Sequence, residues 1–225
     1  MILNQLSIHQ QAVLMLAALV LFTAFAMLAQ RSMFTLIQVF AWQGLLVALT
    51  TALVAVISEQ GHLYFSALLT LILKALFIPW LLRRLVVRLN IVRDVEPVMN
   101  TTVVLLVAAA LVVFSYYIVL PVEALATQLT RNTIAVGLAV VLLGMLIMIS
   151  RRKAVTQVIG FMTMENGLFF TAVAATYGMP MVVELGIAFD VLVAAVLFGV
   201  FFFHIRSSID SLDVDRLNRL SEDEK

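Results

Sequence analysis

Apolar residues run in seven long stretches along this chain, roughly 12–29, 34–57, 63–85, 101–120, 132–150, 155–177 and 181–205, joined by short polar or charged connections. A helix needs about 20 predominantly apolar residues to cross a bilayer, and each stretch is close to that length. Hydrocarbon offers no partner to backbone N–H and C=O groups, so continuous apolar runs of this kind are expected as helices and not as strands. The pattern predicts an all-α, polytopic membrane protein with about seven transmembrane helices.

Composition agrees with the pattern: 64% of the 225 residues are hydrophobic and 12% are charged, with a mean hydropathy of +1.12. Soluble domains do not have this make-up, and the connections leave no room for one. The expected organisation is an N-terminal three-helix membrane half with its connecting segment over 1–100, a fourth helix and outer loop over 101–130, a three-helix unit over 131–205 and a tail over 206–225. Met1 to Gln11 carries no Lys or Arg, where a signal peptide has a positive region, so the first stretch is read as a retained helix.

The basic residues fix the expected orientation. With alternate connections assigned to opposite sides, one side receives Arg31, Arg83, Arg84, Arg88, Arg93, Arg151, Arg152, Lys153, Arg206, Arg216, Arg219 and Lys225, which is 12 of the 14 Lys and Arg residues. The other side receives Arg131, and Lys74 lies inside a span. Positive residues favour the cytoplasmic face, so the N-terminus is expected outside and the C-terminus in the cytoplasm, and the near-neutral net charge of +1 conceals this polarity. On the cytoplasmic side, the segment from Leu85 to Asn100 interleaves apolar and charged positions up to Pro97, as an interfacial helix would. In the tail, Ile209, Leu212, Leu217 and Leu220 recur near helical spacing, which suits either a solvated tail or a docking site for a soluble partner.

Cysteine is absent, which excludes disulfides and thiolate-held clusters within this chain. The three histidines, His9, His62 and His204, fall at or near the ends of stretches, whereas a haem carried between helices takes ligands inside the membrane. No cofactor, no metal site and no nucleic-acid partner is expected, and no residue is read as catalytic.

Chemistry enters with three ionisable residues near the middle of apolar stretches: Lys74, Glu165 and Asp190. A charge at the bilayer centre costs about 2.5–3.5 kcal/mol on insertion scales and more by other estimates, so such residues pair or serve a function. Lys74 is too deep to reach either surface easily, and Pro79 removes a backbone hydrogen bond five residues later, so a kink with a free carbonyl near the lysine is expected there. Glu165 has Asn166 and Gly167 beside it, and Gly160 and Gly167 are small enough for close helix approach. Glu165 and Asp190 are expected at similar depth. Glu184, nearer the outer end, is an interfacial residue and a possible outer access point; about 240° of helical rotation separates it from Asp190. Buried carboxyl and ammonium groups change protonation when a neighbour moves, which is what a proton relay through Lys74, Glu165 and Asp190 requires. A static ion-pair cluster that holds the bundle together is the competing reading.

The motifs Arg151-Arg152-Lys153, Ile159-Gly160, Glu165-Asn166-Gly167, Glu184-Leu185-Gly186-Ile187-Ala188 with Asp190, and Leu212-Asp213-Val214, together with the Lys74 and Pro79 segment, resemble hydrogenase-4 component E over nearly the whole chain. The last three helices are also similar to subunit K of NADH:quinone oxidoreductase and to the matching small subunit of multisubunit cation/proton antiporters. Arg151, Arg152, Ile159, Gly160 and Asn166 fit that pattern, and Asp190 takes the place of its second glutamate. The first glutamate of subunit K would fall at Met162, whereas this chain has Glu165, about 4.5 Å further along the axis on a similar face.

The resemblance implies a non-catalytic membrane-arm subunit of a complex-I-like respiratory assembly of the energy-converting hydrogenase or formate hydrogenlyase type, in the cytoplasmic (inner) membrane of a bacterium or archaeon. It implies antiporter-like membrane subunits and a redox module on the cytoplasmic side as partners, besides the lipid bilayer. A subunit of a cation/proton antiporter or ion-coupled uptake complex, and more distantly a stand-alone seven-helix transporter, remain open. An internal echo between Arg31 to Leu45, ending in Gln43-Gly44-Leu45, and Arg152 to Leu168, ending in Asn166-Gly167-Leu168, suggests a duplication with Lys74 and Asp190 on corresponding helices, unless shared apolar composition alone produces it.

Overall fold

The computed structural model describes residues 8–59, 61–88, 99–121, 128–176, 183–197 and 199–200, and they form helices and short connections without a strand. In chain order the helices are α1 (Ile8–Ala29), α2 (Met33–Ser58), α3 (Gly61–Arg88), α4 (Thr101–Val119), α5 (Gln128–Ser150) and α6 (Ala154–Thr176). A further helical stretch over residues 183–197 is α7.

Six of the helices are long and apolar enough to cross a membrane. The seventh expected span, 181–205, is helical where it is described, and the rest of it lies outside the described residues. So do residues 89–98, most of the expected interfacial helix, and the tail.

The helices α1, α2, α4, α5 and α6 are apolar all round, as spans surrounded by lipid and protein are. Their inner faces bury Val20, Met27, Leu36 and Phe40, while Phe22, Trp42, Val113 and Leu168 point outward. The last part of α3 is different. Leu81, Leu82, Leu85 and Val86 are buried, and Arg83, Arg84 and Arg88 occupy the opposite, exposed face. The Arg84 guanidinium lies over the Trp80 ring, 5.1 Å from its centroid, an arrangement suited to the membrane surface.

Helix α1 packs on α2 and α5, α2 packs on α3 and α6, and among the described residues the α5–α6 hairpin is the most extensive helix contact. Small residues bring α5 and α6 together. A Cβ added to Gly144 would lie 2.5 Å from the Met164 nitrogen and 2.8 Å from the Gly160 carbonyl oxygen; one on Gly167 would lie 2.8 Å from the Gly137 carbonyl oxygen. Close approach of this kind lets dispersion contacts and weak backbone contacts replace the hydrophobic drive that lipid removes. Because the obstacle at Gly144 is backbone, no rotamer change relieves it. Gly144→Val is therefore expected to destabilise the fold by about 1–3 kcal/mol, read as a lower thermal midpoint in mild detergent; an unchanged midpoint would contradict this contact.

The turn between α5 and α6 is anchored by Arg151, which is 5% exposed. Its Nη2 donates to the carbonyls of Leu28 at 2.7 Å and Gln30 at 2.9 Å, two acceptors at and just beyond the end of α1, where carbonyls lack intrahelical partners. Burial lowers the pKa of this guanidinium from its ordinary value.

Candidate functional site: a buried lysine between two carboxylates

Helix α3 changes its winding where it carries Lys74. Residues Leu71–Phe77 form a π-helical segment, and the Ile78 N–H donates to the Leu73 carbonyl five residues back. Pro79 follows at once. A proline cannot donate the hydrogen bond that an α-helix needs at its position, and the wider winding before it is how this helix accommodates that loss. The expected kink thus takes the form of a π segment, a feature frequent at functional sites.

Three helices meet α3 at this point. Gly44 of α2 sits so close that an added Cβ would lie 2.9 Å from the Lys74 carbonyl carbon, carbonyl oxygen and Cβ. Helix α6 supplies Glu165, and α7 supplies Asp190. Lys74 and Asp190 are 0% exposed and Glu165 is 6% exposed. The Lys74 ammonium forms an ion pair and hydrogen bond with Glu165 Oε2, and Asp190 Oδ1 lies 3.4 Å from it. Its other side faces the Phe169 ring, 4.7 Å from the centroid, a further favourable contact for a cation.

The three inner charges read from the sequence are therefore one cluster. With all three ionised, one cation faces two anions. Oε1 of Glu165 and Oδ2 of Asp190 have no hydrogen-bond partner among the described residues, so each carboxylate keeps an oxygen open to a proton or a water.

Two residues support the cluster that sequence reasoning did not place there. Gln43 is fully buried in α2; its Nε2 donates to the Val20 carbonyl at 3.3 Å, and its Oε1 accepts from Asn166 Nδ2 at 3.1 Å. This chain of amides ties α1, α2 and α6 together one residue away from Glu165. The two amides of the internal echo, Gln43 and Asn166, thus touch, and the signal available in the sequence was an amide followed by glycine in both halves. Gly186 is the second: a Cβ there would lie 2.4 Å from the Phe169 ring and 3.4 Å from Glu165 Oε1. Its absence lets α7 lie against α6 at the glutamate.

Of the other expected site residues, Gly160 and Gly167 lie in the α5–α6 contact, and Glu184 is exposed near the start of the described part of α7. Among the described residues no group of three or more His, Cys, Asp or Glu side chains could hold a metal ion.

Helices of this length and apolarity around a buried ionic cluster define a multi-pass helical membrane protein. Its similarity to the Uncharacterized protein Rv0085 of Mycobacterium tuberculosis is 34% identity over 194 residues, covering 86% of this chain and 88% of that one, and the chain belongs to the family of that protein. It is also 31% identical over 115 residues to Hydrogenase-4 component E of Escherichia coli and of Shigella flexneri, a match that covers 51% of this chain and 53% of each relative. No family model matches the chain. No solved structure matches it.

Proposed function

We propose that this protein is a non-catalytic membrane subunit of a hydrogenase-type, complex-I-like assembly, and that Lys74, Glu165 and Asp190 carry protons within it. The observation that carries this reading is the cluster itself: one ammonium between two carboxylates, buried among apolar helices. A purely structural ion pair needs one anion per cation. The second carboxylate leaves the cluster one negative charge in excess when all groups are ionised, and an excess charge in hydrocarbon is costly. Taking up one proton removes the excess. A group that must accept a proton in one state and release it when a neighbour moves is the working part of a relay.

The partial likeness to Hydrogenase-4 component E supports a place beside a redox module. Moving one elementary charge across the membrane is worth about 2.3 kcal/mol per 100 mV, a size that a modest redox step can supply. The subunit-K-like unit over 131–205 would carry the two carboxylates, and the half over 1–100 would carry the lysine between them. The setting we propose is the cytoplasmic membrane of a bacterium or archaeon, with the basic connections facing the cytoplasm.

Purification of the tagged full chain from native membranes in mild detergent, with mass spectrometry of what co-elutes, tests the assignment. Metal-bearing hydrogenase or dehydrogenase subunits are expected together with antiporter-like ones. Antiporter-like subunits without a redox module would move the function to ion exchange, and a lone chain would overturn the complex-subunit reading.

A further inference from the structure

A cavity of about 310 Å³ opens between α3 and α7, lined by His62, Phe65, Ser66 and Leu69 of α3 and by Val183, Glu184 and Ile187 of α7. On α3 the lining follows the spacing of one helix face. The buried face of the same helix lies beside it, about 100° around the axis, and shares Ser66 with it: Leu63, Ser66, Ala67, Thr70 and Lys74 are its buried residues, at successive offsets of 3, 1, 3 and 4 positions, as a single side of a helix requires. On α7 the buried residues Val183, Asp190, Ala194 and Leu197 mark the inward face, with Glu184 beside its outer end. Ser66 on α3 and Val183 on α7 belong both to the cavity wall and to the buried faces, and the seam between those faces runs inward from them to the Lys74–Asp190 contact.

The polar residues along the seam are spaced about one turn apart: His62, Ser66, Thr70 and Lys74, which covers about 18 Å at 1.5 Å per residue. Thr70 is the informative member. Hydroxyls in apolar helices normally return a hydrogen bond to a carbonyl three or four residues back, and Thr50, Thr51, Ser66, Thr163 and Thr171 all do so. The Thr70 hydroxyl is fully buried and has no hydrogen-bond partner. It stands where the helix passes into its π segment, between the cavity and a cluster whose Asp190 Oδ2 and Glu165 Oε1 are also without hydrogen-bond partners. A buried polar group without a partner costs free energy that a water can recover when the site is polar.

We propose that the α3–α7 seam is a half-channel that brings water and protons to Lys74 and Asp190, opening on the side of the α2–α3 turn at His62 and Glu184 and passing Ser66 and Thr70. This deepens the relay reading by giving the cluster an access route. It rests on that reading for its purpose and on the cavity and the Thr70 hydroxyl for its existence.

This chain contains no cysteine, so once the labelled subunits are separated, any label on this one reports the introduced cysteine. In the native complex, in sealed membranes of both orientations, Ser66→Cys and Leu69→Cys would be treated with a charged, membrane-impermeant methanethiosulfonate reagent. Gly61→Cys, in open space at the turn, marks the side to which the mouth belongs. Leu68→Cys and Ile72→Cys, at exposed positions of the same helix that face away from the cluster, report reactivity in lipid. Positions 66 and 69 are expected to react at least about tenfold faster than 68 and 72, from the side that labels position 61, because a thiol reacts as the thiolate and ionises in water. Equal rates, or labelling only from the opposite side, would overturn the half-channel. Labelling measures water access alone, so its failure is separate from any failure of Glu165 to support proton transfer.

Discussion

Glu165→Gln is expected to leave the complex assembled and to lower proton translocation by roughly 100-fold, the lower end of what a positioned proton-transfer group contributes. The amide keeps the size and hydrogen-bonding capacity of the side chain, so it can still accept from the Lys74 ammonium; what it loses is the ability to take a proton. The substitution also leaves Lys74 with the Asp190 carboxylate 3.4 Å away, one cation to one anion, so no unpaired charge is created. The measurement is quenching of a pH-sensitive dye in inverted vesicles, with redox turnover followed in the same vesicles using reduced methyl viologen. Normal pumping by a fully assembled variant would remove Glu165 from the relay.

Lys74→Met is expected to be the most damaging single substitution for stability, costing about 3–5 kcal/mol, because it removes the one cation from a site with two buried anions. Asp190→Asn should be far milder, since it leaves a matched Lys74–Glu165 pair. A static ion-pair cluster makes the same ordering for stability but predicts unaltered pumping in Asp190→Asn, whereas a relay predicts reduced pumping in a well-assembled protein. Thermal midpoints and assembled yield give the first comparison, and the dye assay gives the second. If Lys74→Met were as stable as Asp190→Asn, the charge accounting of the cluster would be wrong.

These two substitutions separate because the cluster has three members with unequal partners. The sequence placed Lys74, Glu165 and Asp190 near the middle of separate helices, with the two carboxylates at similar depth, and depth is legible because apolar runs have countable lengths. Which of them touch could not be read. Contact depends on the rotation of each helix about its own axis, and an apolar helix that is hydrophobic all round carries little pattern to fix that rotation. Here it is fixed by close approaches at particular glycines: Gly44 against Lys74, Gly186 against Phe169, and Gly144 and Gly167 within the α5–α6 hairpin. Gly160 and Gly167 were recognised as small residues in the sequence, but a glycine does not announce which backbone will approach it.

The amide chain from Asn166 through Gln43 to the Val20 carbonyl was likewise out of reach. It joins residues more than a hundred positions apart, and no spacing rule connects them. Pro79 was legible as a disturbance of α3, but whether the helix bends or widens ahead of a proline depends on what packs around it. The widened segment places Lys74 opposite two carboxylates.

The sequence by itself determined that this is an all-helical membrane protein, because backbone groups in hydrocarbon must be satisfied within each segment and apolar length leaves no other solution. It also determined which residues are chemically out of place there, because a charge deep in lipid needs a partner or a function, and depth can be counted along the chain. Only the tertiary structure decided that the lysine lies between both carboxylates, that the buried Thr70 hydroxyl is left without a hydrogen-bond partner among the described residues, and that a cavity lies between α3 and α7. Those facts follow from helix rotation and close packing, which are set by contacts between distant residues and leave no periodic trace along the chain.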